Sequence, residues 1–140
     1  MQVDNPLLAR ILIVDDSAEN VRLLTRILHR AGYTEITGLT DSRSVVDTVK
    51  EIAPDLVILD LHMPHANGFA VMHQVRSLVD QPPKFLLVTG DSDEGIRPLA
   101  LARGADELLP KPFQIVDALT RIRFLLDLAP PAAQGRRIQA

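Results

Sequence analysis

Four apolar runs in this chain each end on a residue able to do chemistry. Asp15-Asp16 follows Arg10-Ile11-Leu12-Ile13-Val14, and Asp60 follows Leu56-Val57-Ile58-Leu59. Thr89 follows Phe85-Leu86-Leu87-Val88, and Lys111 comes just after Glu107-Leu108-Leu109. Taken singly, each has a plain structural reading: Asp and Thr at turns or helix caps, Lys on a solvated surface. Brought together, the carboxylates need compensation. Like charges about 4–6 Å apart repel by roughly 3–4 kcal/mol at an effective dielectric near 20. Lys111 supplies one positive charge, and a divalent cation is the natural remainder. Carboxylate oxygens with water suit Mg²⁺. With a cation in place, a carboxylate can attack phosphorus and form an acyl phosphate. Lysine and metal would neutralise the phosphoryl oxygens, and the Thr89 hydroxyl would donate to one of them.

Those residues meet only if the runs are strands of one sheet. The runs are unbroken and rich in branched aliphatic residues, as expected of strands buried on both faces of a parallel sheet. Between them lie helical patterns. Val21, Leu24, Ile27, Leu28 and Ala31 recur at helical spacing after the capping residue Ser17, and Gly32 stops them. Glu35 to Leu39 is a short strand whose Gly38 predicts an edge position. Asp41 or Ser42 can cap a helix carrying Val45, Val46, Val49 and Ile52, which Pro54 ends. Phe69, Met72 and Val75 mark another helix. A short one covers about 97 to 103, with Pro98 in its first turn. The last carries Ile115, Leu119, Ile122, Leu125 and Leu126. Five strands thus alternate with five helices. That predicts a doubly wound α/β fold, with helices on both faces and every strand's carboxyl end along one edge, where ligands bind.

With 140 residues, one domain is expected. The net charge of −3 is too small to argue for nucleic acid or an anionic membrane, and neither is expected as a direct partner. Cysteine is absent, which excludes disulfides and thiolate metal sites. No run reaches transmembrane length and no signal peptide is evident, so a cytoplasmic location is expected. The domain is placed at 8–128. Residues 129–140, opened by Pro130-Pro131, are assigned as a linker or loose tail.

In combination, Asp15-Asp16, the segment Asp60-Leu61-His62-Met63-Pro64-His65-Ala66-Asn67-Gly68, Thr89-Gly90 and Lys111-Pro112-Phe113 resemble the receiver (response-regulator) domain of two-component signalling. The resemblance covers about Arg10 to Leu128 and implies a flavodoxin-like sheet in the order 2-1-3-4-5. It implies that Asp60 is the phosphoacceptor, that Asp16 binds Mg²⁺ directly and Asp15 through water, and that Asp60 and the backbone carbonyl of His62 complete the protein ligands. Thr89 would be the switch hydroxyl, Lys111 the phosphate-binding lysine, and Lys111-Pro112 a cis bond. It further implies a phosphoacceptor rather than an enzyme. The donor would be a sensor histidine kinase or a phosphotransfer protein. The output would be a downstream protein or fused output domain, reached through the face made by the fourth helix, fifth strand and fifth helix, where a homodimer is a further expectation. Glu107 with Arg121 or Arg123 would pair across such an interface. His62 and Asp91, two residues beyond Asp60 and Thr89, would tune the lifetime of the acyl phosphate.

One departure from the family pattern stands out. Three residues before the lysine, where the family has Tyr or Phe, this chain has Leu108. Coupling between Thr89 and the surface is therefore expected to be weaker or differently routed. Two rival readings fit less well. A haloacid-dehalogenase-type phosphohydrolase needs Asp-x-Asp after the first strand, whereas here His62 holds the second position and the nucleophile follows the third strand. A flavin or nucleotide domain needs a Gly-rich phosphate loop, and none follows the first strand.

Overall fold

The computed structural model describes residues 5–90 and 95–127. The apolar runs become β1 (Arg10–Val14), β3 (Leu56–Asp60) and β4 (Lys84–Thr89), joined by the shorter β2 (Glu35–Leu39) and β5 (Glu107–Pro110). Helices α1 (Ala18–Arg30), α2 (Val45–Ile52), α3 (Gly68–Leu78), α4 (Ile96–Ala102) and α5 (Ile115–Asp127) alternate with them. All neighbouring strands pair in parallel, in the order β2-β1-β3-β4-β5. This is the expected doubly wound sheet, with β2 at an edge.

Strand alternation sorts the core into two layers. Ile11, Ile13, Leu56, Ile58, Leu86, Val88 and Leu109 pack against Leu24 and Leu28 of α1 and Ala118, Ile122 and Leu125 of α5. Leu12, Val14, Val57, Leu59, Phe85, Leu87 and Leu108 pack against α2, α3 and α4 through Val45, Val49, Val71, Met72, Val75 and Ala100. β3 is buried along its whole length, which fixes it as the centre of the molecule.

The helix ends follow local chemistry. Ser17 Oγ accepts the amide of Asn20, and Asn67 Oδ1 accepts that of Ala70. Gly32 takes φ +102° after α1. The start of α2 differs from the expectation: Asp41 caps a 3₁₀ turn at Ser42–Ser44, and α2 follows that turn. Its end also differs. Ala53, in the left-handed region at φ 47°, closes α2 before Pro54 is reached. A 3₁₀ turn at Pro6–Leu8, capped by Asn5, precedes β1.

At the amino edge of the sheet, two aspartates tie strands together in the same way. The amide of Asp55 donates to the carbonyl of Arg10 at 2.8 Å, and its Oδ2 accepts the amide of Arg10 at 2.8 Å. Asp106 repeats this with Phe85, at 2.9 and 2.8 Å. Among the described residues no helix is long and apolar enough to cross a membrane. The segment assigned as a tail, 129–140, lies outside the described residues, as does Asp91.

Candidate functional site

At the carboxyl edge the chain leaves β1 as Asp15-Asp16 and ends β3 on Asp60. Asp15 is locked in place: Oδ1 accepts the amide of Ser17 at 2.9 Å, and Oδ2 accepts Asn20 Nδ2 at 3.2 Å. Asp60 is held by a hydrogen-bonded strand pair, opposite Val88. Just beyond it, the amide of Leu61 donates to Val88 O, and that of Gly68 donates back to Leu61 O at 2.8 Å. Gly68 has to be glycine. A Cβ there would lie 2.8 Å from Leu87 Cδ1 and 3.0 Å from the Asp60 carbonyl.

The structure brings together carboxylate oxygens of Asp15, Asp16 and Asp60, all within 4.8 Å of one another. Asp15 and Asp60 are buried, and Asp16 faces solvent. Lys111 Nζ lies 3.4 Å from Asp60 Oδ1 and 3.8 Å from Asp15 Oδ2. Lys111 is carried there by β5 and held by its own amide, which donates to Thr89 O at 2.7 Å. The bond from Lys111 to Pro112 is cis. Burial pushes the Asp60 carboxyl above its ordinary value, the nearby Lys111 pulls it down, and Asp15 pushes it up again.

Thr89 ends β4 and is fully buried. Leu87, two residues earlier, faces the layer of α2, α3 and α4, so alternation puts Thr89 on that side of the sheet. Asp15 and Asp60 follow Ile13 and Ile58 by the same count and belong to the α1 and α5 side. His62 is exposed in the loop after β3. Asn20 is the residue that sequence reasoning missed. An amide side chain one turn into a helix that starts at a carboxylate was the available signal.

Among the described residues, the donors offered at this edge are carboxylate oxygens in a pocket with one ammonium group for three acids, a set that fits a hard divalent cation of the Mg²⁺ class. A cleft of about 400 Å³ opens beside them, lined by Asn20, Leu23, Leu24, Lys111, Pro112 and Phe113 among others.

A doubly wound sheet with an acidic cluster, a lysine and a buried threonine along its carboxyl edge is the architecture of a receiver domain. The model of the response regulator receiver domain matches residues 11–123, and the chain belongs to that family of two-component signalling proteins. It is 38% identical over 122 residues to response regulator MprA of Mycolicibacterium vanbaalenii, and 37% identical to response regulator MprA of Mycobacterium avium. Those matches take in 87% of this chain, which spans about half the length of the relatives, 52% and 53%. A CheY-like response regulator receiver domain protein from Methanospirillum hungatei superposes with a TM-score of 0.77 at 28% identity, over 86% of this chain and 94% of the other. The receiver domain of a LuxO repressor protein from Vibrio parahaemolyticus shares the fold at 23% identity, with a TM-score of 0.79 over 86% of this chain and 91% of that one.

Proposed function

We propose that this receiver domain is switched by phosphorylation of Asp60, with a sensor histidine kinase or phosphotransfer protein as donor. The observation that carries the reading is the convergence of buried Asp60 with Asp15, Asp16 and Lys111 at one sheet edge. An Asp60 Oδ–P bond forms as the donor's P–N bond breaks, and the electron pair leaves with the imidazole nitrogen. The 3.4 Å approach of Lys111 Nζ places a positive charge beside the oxygen that reacts, and later beside the phosphoryl oxygens. Asp15, Asp16, Asp60 and the His62 backbone carbonyl would hold Mg²⁺, which when bound supplies the charge that lets a dianionic phosphoryl group approach three carboxylates. The chain assists its own modification and does not turn over a substrate.

Thr89 is the group placed to report the modification, by donating its hydroxyl to a phosphoryl oxygen. The output face is formed by α4, β5 and α5, and would act on a downstream protein or a fused output domain. Leu108 is already buried in the layer beneath α4. Glu107, expected to pair across an interface, is engaged within the chain: its Oε1 lies 2.8 Å from Arg97 Nη2 and 3.4 Å from Arg121 Nη1. Arg123 pairs instead with Asp127, at 3.8 Å.

The test is intact-mass measurement after incubation with acetyl phosphate, with and without Mg²⁺, beside Asp60→Asn. One phosphoryl adduct is expected, dependent on Mg²⁺ and absent from the variant. An adduct that persists in Asp60→Asn overturns the assignment. So does a protein that, with Mg²⁺, neither gains an adduct nor binds beryllofluoride.

A further inference from the structure

The two edges of the sheet are treated differently. At β5 the outward backbone is closed. Glu107 Oε1 accepts the amide of Leu108, Arg121 Nη1 donates to the Leu108 carbonyl, and Pro110 has no amide to offer. Charged side chains and proline on an edge strand are the usual means of preventing strand addition.

At β2, among the described residues, no side chain closes the outward backbone. The Leu39 carbonyl accepts the amide of Asp15, so Glu35, Thr37 and Leu39 turn their backbone toward β1. Ile36 and Gly38 turn theirs outward, and among the described residues no group bonds to them. Gly38 is exposed. A polar cavity of about 390 Å³ lies against the start of this edge, lined by Arg10, Thr34, Glu35, Thr37 and Glu51 among others. Glu35 and Glu51 are exposed and make no ion pair among the described residues, whereas the Arg10 guanidinium donates to the Ile52 carbonyl.

We propose that the outer edge of β2 binds an extended basic peptide segment of a partner protein as a sixth strand. The amides and carbonyls of Ile36 and Gly38 supply the main-chain ladder. A lysine or arginine of the segment enters the cavity between Glu35 and Glu51. Main-chain bonds give such an interface its affinity, and the pocket gives it a preference for charge. The site lies across the sheet from α5 and at the opposite end of β1 from Asp15, so it can be occupied whatever the state of Asp60.

The probe is a capped hexapeptide alternating valine and arginine, titrated into the whole ¹⁵N-labelled chain and compared with its valine–glutamate counterpart. The basic peptide should shift the Ile36 and Gly38 amides and slow their hydrogen exchange. The charge-reversed variant Glu35→Lys/Glu51→Lys, which alters only exposed side chains, should bind it about tenfold more weakly or less. Equal binding of the two peptides, or no shift at millimolar peptide, overturns the proposal. Shifts at the same amides that grow with protein concentration alone would assign the edge to a second copy of this chain, and overturn it as well.

Discussion

Asp60 carries a stability cost beside the chemical role proposed for it. Its carboxyl is raised above the ordinary value of 3.8, chiefly by burial. The folded state therefore binds the proton more tightly than the unfolded chain does. The stabilisation this gives is complete below that ordinary value and is lost as pH rises through the folded one. At neutral pH the ionised group loads the fold. In metal-free buffer Asp60→Asn should raise the melting temperature. The gain should shrink on acidification toward 3.8, and Mg²⁺ should narrow it by stabilising the wild type. Thermal melts across pH, with and without the ion, check both statements. At this scale the sequence was informative. Carboxylates at the ends of buried runs have few places to go, and parallel pairing sends them to one edge. Asn20 was only faintly legible, because a polar residue in a first helical turn looks much the same whether it faces solvent or braces a carboxylate.

The elements that present these residues depend on two tight backbone positions. Ala53 sits at φ 47° at the end of α2, where an L-residue is strained by roughly 1–2 kcal/mol and glycine is not. Ala53→Gly should stabilise the protein by about 0.5–1 kcal/mol, the strain relief exceeding glycine's extra unfolded-state entropy. A higher urea midpoint at unchanged slope is the readout. Gly68 works the other way. Gly68→Ala presses a methyl group onto Leu87 and the Asp60 carbonyl, and should cost about 1–3 kcal/mol. It should also slow adduct formation from acetyl phosphate, because the strand end that aims Asp60 has to move. The strands were legible from their unbroken apolar runs, and the edge position of β2 from its glycine. That glycine also admits α1: a Cβ at Gly38 would lie 2.4 Å from Val21 Cγ1. The ends of α2 were less legible, because proline two residues on is a louder signal than an alanine in a left-handed turn.

Across the whole molecule, the sheet is pinned at its amino edge by Asp55 and Asp106, each clasping the residue beside it on the neighbouring strand. Asp55 is buried, and Asp55→Ala leaves the Arg10 amide without its acceptor, at a cost of about 1–3 kcal/mol. Asp106 is partly solvated, so water can take over its bond to the Phe85 amide and Asp106→Ala should cost less; its partly exposed ion pairs with Arg76 at 3.5 Å and Lys84 at 3.9 Å add little. Chemical denaturation of the two variants should rank them in that order. Neither role could be read from the chain, since an aspartate just before a strand is also an ordinary turn residue. Glu107 pairs within the chain with Arg97 and Arg121, and charge pattern alone does not say whether a partner belongs to the same molecule.

The carboxyl edge is the line where the two helical layers look onto common ground. Asp15 and Asp60 belong to one layer's side of the sheet and Thr89 to the other's. A chemical mark placed there is visible from both directions at once. A writer approaching over α1 and a reader waiting beyond α4 need not compete for the same ground, and each surface can diversify without disturbing the other's grip. On the function proposed above, the sheet, a passive partition everywhere else, would become at this one border a channel through which a message passes from one side of the molecule to the other.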